Sequence, residues 1–144
     1  MSLRRLGRIA VSAIALLLAL APISVLAAGQ TSITLNSLSS GETFTAAGGV
    51  ICASGTATSD FDHFGGGPVA GSFHLTKTLT CTDGSGTITI RVNAATVFGS
   101  PIDQGGWAVV SGTGDYTGLS GGGNVVGTYV ADGIIDLYKG VLRN

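Results

Sequence analysis

Two lysines stand among apolar side chains in runs of β-like alternation. Lys77 shares parity with Phe73, Leu75, Leu79 and Cys81, and Lys139 shares parity with Ile135, Leu137 and Val141. Successive side chains of an extended strand point to opposite faces, so both ammonium groups are expected on inward faces. An unpaired charge in such a place is costly. The chemistry that justifies it is capture of an anionic group on a mostly apolar ligand, with Trp107 as a third candidate ligand contact. Two plainer readings compete: each stem snorkels to solvent at a strand end, or inward charges guard against edge-to-edge pairing.

Other constellations are weaker. Asp60, Asp62 and His63 offer oxygen and imidazole ligands to a metal, but the only other histidine, His74, lies on a Thr-rich face. A solvated loop accounts for them, and no metal or cofactor is expected. As an acid–base set they lack a nucleophile and an oxyanion donor, and no serine sits in a nucleophile-elbow motif. Gly112-Thr113-Gly114-Asp115 has the look of a phosphate cradle, yet Thr117 occupies the place of the third glycine and no βαβ unit surrounds it. Cys52 and Cys81 are the only cysteines, and in an oxidising compartment such a pair reads as a disulfide.

That compartment is implied by the N-terminus. Arg4, Arg5 and Arg8 precede an uncharged apolar run from Ile9 to Leu20, followed by Pro22 and small residues at Ala27 and Ala28. This is the pattern of a helical secretory signal peptide over residues 1–27, leaving a single domain over 28–144 and a secreted or periplasmic location. Once cleaved, the chain keeps four basic residues against eight acidic ones, a net charge of −4 rather than −1. An acidic domain with no basic cluster lacks the electrostatic footprint of nucleic-acid binding and of a polybasic membrane-surface patch. No membrane span is expected after cleavage.

The elements that must position these residues are strands. Beyond the leader, no window carries apolar residues at helical spacing, and Gly, Ser and Thr are too frequent to sustain a helix. Strands are expected at Thr31–Asn36, Glu42–Ala46, Val50–Ala57, Phe73–Cys81, Thr87–Asn93, around Trp107, from Asn124 to Tyr129, and at Ile134–Leu142. Asp60–Pro68 reads as a loop, and Asp83-Gly84 as a hairpin turn whose residues tolerate positive φ. About eight strands suit an antiparallel sheet closed on itself. A lipid-facing barrel of that strand number needs apolar bands and two aromatic girdles, which this chain lacks.

Trp107-Ala108-Val109-Val110-Ser111-Gly112-Thr113-Gly114-Asp115-Tyr116-Thr117-Gly118-Leu119-Ser120-Gly121 resembles the Gly-Thr-Gly-x-Tyr-x-Gly signature of the allene oxide cyclase and dirigent barrel families. It is similar also to small secreted bacterial proteins of that barrel type, as is the stretch from Lys77 to Thr87. The resemblance spans Phe73 to Thr128 and implies an eight-stranded barrel. No cyclase acid and no dirigent lumen residue aligns onto this chain, so it does not imply a cyclase. The expected function is non-catalytic binding of a small apolar or anionic ligand, or of a surface partner. An isomerase or cyclase on the same scaffold is second, and a structural or adhesive envelope protein third.

Overall fold

A computed structural model describes residues 28–144; the signal peptide expected over 1–27 lies outside the described residues. Eight strands follow in order: β1 (Ala28–Leu38), β2 (Gly41–Ala47), β3 (Ser54–Gly66), β4 (Ala70–Cys81), β5 (Thr87–Val97), β6 (Ile102–Gly112), β7 (Ser120–Val130) and β8 (Gly133–Arg143). Each pairs antiparallel with its neighbours in sequence, and β8 returns to β1 from Ala28↔Arg143 to Leu38↔Gly133. The result is a closed up-and-down barrel with no free edge to template aggregation.

The two ends of the barrel differ because their connections differ. At one end the turns between strands have two to four residues; at the other the connections run from five to seven. Two of the long connections, β2–β3 and β6–β7, fold inward and plug their end. Ile51, Cys52, Tyr116 and Leu119 are buried there, against an inner layer that includes Leu35, Phe44, Leu79 and Leu142. The disulfide between Cys52 and Cys81 ties the β2–β3 connection to the end of β4.

The glycine-rich stretch is part of this plug. Gly114 has φ of 60°, left-handed backbone that a Cβ would strain, and it opens a single 3-10 turn, Gly114–Tyr116. The turn drives Tyr116 inward. Its hydroxyl accepts the Cys52 N–H at 2.9 Å and lies 2.7 Å from Ser85 Oγ, so one side chain joins all three long connections. Tyr116→Phe would leave the buried Cys52 N–H without a partner. It is expected to cost about 1–3 kcal/mol in urea unfolding; an unchanged midpoint would show that the hydroxyl is dispensable.

The structure alters three sequence expectations. Cys52 lies in the connection before β3, not within a strand over Val50–Ala57. Asp60–Gly66 is not a loop but the second half of β3, interrupted by a bulge at Asp62 where the register jumps from Phe61↔Leu75 to His63↔His74. The extra residue breaks the period of two. It also puts Phe61 and Phe64, three apart, on the same inner side, which an uninterrupted strand cannot do. The third correction concerns β8: its inner face is Ile134, Asp136, Tyr138 and Leu142, so Lys139 points outward and is exposed.

Candidate functional site

The short-turn end of the barrel is open. Beneath its mouth lies a cavity of about 630 Å³. Register sets its layers: on β4 the inward series runs Phe73, Leu75, Lys77, Leu79 and Cys81 from mouth to plug, and on β8 it runs Ile134, Asp136, Tyr138 and Leu142. The upper wall is aromatic, with Phe61, Phe64, Phe73, Phe98 and Tyr129. The lower wall is a polar band made by Ser37, Glu42, Ser59, Lys77, Asp103 and Asp136, with Tyr138 beside it. Several of the rim aromatics also face solvent, Phe61 being 62% exposed.

Lys77 is inward and buried, as its parity predicts, but it is not free. Its ammonium donates to Ser59 Oγ at 2.7 Å and Ser37 Oγ at 3.1 Å, and forms ion pairs with Glu42 Oε1 at 3.4 Å and Asp136 Oδ2 at 3.8 Å. Ser59 Oγ in turn donates to the Glu42 carboxylate at 2.8 Å. Tyr138 Oη donates to Asp136 Oδ2 at 3.1 Å. Asp103 Oδ1 accepts the Gly127 N–H at 3.1 Å. Asp103 Oδ2 is buried without a partner of hydrogen-bonding geometry, although the Tyr129 hydroxyl is near enough to favour its charged form.

Gly127 explains how two carboxyl groups come together. It is opposite Asp103 on one side and Asp136 on the other, and a Cβ built on it would press into both carboxylates. Glycine therefore opens the space in which the two acids approach. Burial raises the pKa of Asp103, and the Tyr129 hydroxyl, the Gly127 N–H and Lys77 offset this only in part. Burial likewise raises Asp136 above the ordinary carboxylate range despite Lys77, with the charges of Asp103 and Glu42 adding to the rise. Burial and the adjacent Asp136 push the Tyr138 phenol well above its usual value. For Glu42, burial is outweighed by the Ser37 and Ser59 hydroxyls and by Lys77, and its pKa falls.

A carboxyl with a raised folded pKa contributes stability in full below its unfolded value, near 3.9, and loses it as pH rises through the folded value. Asp103 and Asp136 are of this kind, whereas the contribution of Glu42 is lost as pH falls. Asp103→Asn keeps an oxygen for the Gly127 N–H. It is expected to raise stability at neutral pH, with the gain vanishing below about pH 4. Urea midpoints at the two pH values check this, and a gain that persists in acid contradicts it.

The other candidates fall elsewhere. Lys139 is on the outer wall, 32 positions from Trp107, whose Nε1 donates to the Lys139 carbonyl at 3.4 Å. Trp107 is inward and buried, but it packs edge-on to Tyr138 with ring centroids 5.9 Å apart, beneath the cavity and not on its wall. Asp60, Asp62 and His63 are exposed around the bulge, where Asp62 accepts from Thr76 Oγ1 at 3.3 Å. They do not gather three ligand atoms around one point. Among the described residues no helix is long and apolar enough to cross a membrane.

Sequence reasoning missed Glu42, Asp103 and Asp136. One signal for Asp136 was available: it shares parity with Tyr138 and Leu142, the two residues of β8 that prove most deeply buried. No family model, curated protein or solved structure matches the chain. Function is therefore read from the site's geometry.

Proposed function

We propose that this is an exported barrel protein that binds a small, largely apolar molecule in the open half of its lumen. The observation that supports this reading is the 630 Å³ cavity itself, aromatic above and polar below, in a barrel whose other half is filled by a cluster of buried apolar side chains. Cavities of this size with a few convergent polar groups are the usual setting for small ligands. An anionic ligand loses its rationale, because Lys77 already faces Glu42 and Asp136. Export is supported by the Cys52–Cys81 bond, which suits an oxidising compartment.

The test is titration of the mature chain with a neutral naphthylamine fluorophore whose emission rises in apolar surroundings. Saturable binding at one site per chain is expected. Ala94 is buried on the cavity wall. Ala94→Trp fills the lumen and is expected to abolish binding while the cooperative melt is retained. Absence of saturable binding, or binding unchanged in Ala94→Trp, sinks the reading.

A second reading, acid–base chemistry of the isomerase or cyclase kind, is favoured by one observation. Asp103, Asp136 and Tyr138 converge on the cavity with raised pKa values, the environment in which general acids are found. Mass spectrometry of a ligand recovered after incubation separates the two: binding returns it unchanged, and catalysis returns an isomer.

A further inference from the structure

The cavity's polar band is unbalanced in charge and in hydrogen bonding. Three carboxyl groups, Glu42, Asp103 and Asp136, line it against a single ammonium, that of Lys77. Lys77 is already engaged by Ser37, Ser59, Glu42 and Asp136. Lys77 makes no hydrogen bond to Asp103: one carboxyl oxygen takes the Gly127 N–H, while the other, in a residue only 3% exposed, has no partner of hydrogen-bonding geometry and only the Tyr129 hydroxyl near it. A buried acceptor left unmade costs more than a typical hydrogen bond gains. Gly127 meanwhile holds the Asp103 and Asp136 carboxyl groups side by side, so that one small donor can face both. Across the lumen, on β3 and β4, the cavity wall is aromatic, with Phe61 and Phe73 in tilted contact at 6.1 Å between centroids.

We propose that the ligand is a cationic amphiphile: a protonated amine whose head donates to Asp103 Oδ2 beside Asp136, and whose apolar body rises between the mouth phenylalanines. This rests on the ligand-binding reading above and narrows its chemical class. The head supplies Asp103 Oδ2 with a donor of full hydrogen-bonding geometry, which the Tyr129 hydroxyl does not give it, and the positive charge that the band is short of. The tail covers aromatic surface that is otherwise open to water, and the ring faces are themselves favourable to a nearby cation. An anion of the same shape meets an unpaired carboxyl group at the same depth.

Decylamine, decanol and decanoic acid share a tail and differ at the head. Each is titrated at neutral pH against the protein loaded with the neutral naphthylamine fluorophore. Decylamine is expected to displace it about tenfold more tightly than decanol, the worth of one charge-assisted hydrogen bond, with decanoic acid weakest. Asp103→Asn is expected to remove that advantage and leave decanol within about twofold, since the neutral head gains little from the charge. Decanoic acid binding as well as decylamine overturns the amine assignment and leaves ligand binding standing, as does an equal loss for all three probes in Asp103→Asn. Failure of every probe, and of the fluorophore, overturns both. Should Asp103→Asn not fold, the ranking of the three heads on the unaltered protein still decides.

Discussion

Lys77→Met is expected to destabilise the barrel by about 3–5 kcal/mol at neutral pH, the cost of removing one member of a buried ionic cluster. The lysine side chain is 5% exposed and its partners Glu42 and Asp136 are 20% and 9% exposed, so the stranded carboxylates have little water to replace the ammonium. Methionine matches the stem in length, and packing loss is therefore small beside the electrostatic loss. The penalty should shrink as pH falls, because protonation discharges the same two groups. Asp136, whose pKa is already raised, gives up its charge first, and Glu42, held low in the native cluster, follows. Adding Glu42→Gln and Asp136→Asn to Lys77→Met removes the stranded charges and is expected to recover most of the loss. Urea unfolding of the single and triple variants at neutral and acid pH measures each step. A Lys77→Met protein as stable as the parent would show that water reaches the band freely.

The second large effect is at the opposite end. Reduction of the Cys52–Cys81 bond, or the pair Cys52→Ser and Cys81→Ser, is expected to cost about 3–4 kcal/mol in the chain-entropy account. The bond joins positions 29 apart and closes the connection that carries Ile51 over the plugged end. Loss of the bond releases that connection, yet Tyr116 still holds the Cys52 N–H. The reduced protein should therefore keep a cooperative melt at a lower midpoint, and ligand binding in the open half should survive. Loss of fluorophore binding on reduction, with the melt intact, would mean that the two ends are coupled.

These two perturbations divide the barrel by chemistry. The plugged half is held by apolar burial, a disulfide and one tyrosine hydroxyl. The open half carries buried charge whose arrangement costs stability: Asp103 and Asp136 have raised pKa values, and Asp103 leaves an oxygen unpartnered. Sites that bind are commonly built this way, with local instability retained because a ligand relieves it.

The sequence by itself determined the β class, the strand number and most turns, because alternation and Asp-Gly or Gly-rich punctuation are local signals. It determined the pairing of the only two cysteines and the inward face of Lys77, since β4 has one apolar face and one threonine face. Strand β8 has apolar residues on both faces: Ile135, Leu137 and Val141 on one, Ile134, Tyr138 and Leu142 on the other. Parity alone could not choose between them, and closure against β1 did, turning Asp136 inward and Lys139 out. The bulge at Asp62 hid half of β3, because one extra residue erases a period of two. The polar band was invisible for a deeper reason. Glu42 and Lys77 are 35 positions apart, and Asp103 and Asp136 meet only because β6 and β8 flank Gly127 on β7. Local patterning can show that a charge faces inward; only closure of the barrel decides which charges it faces.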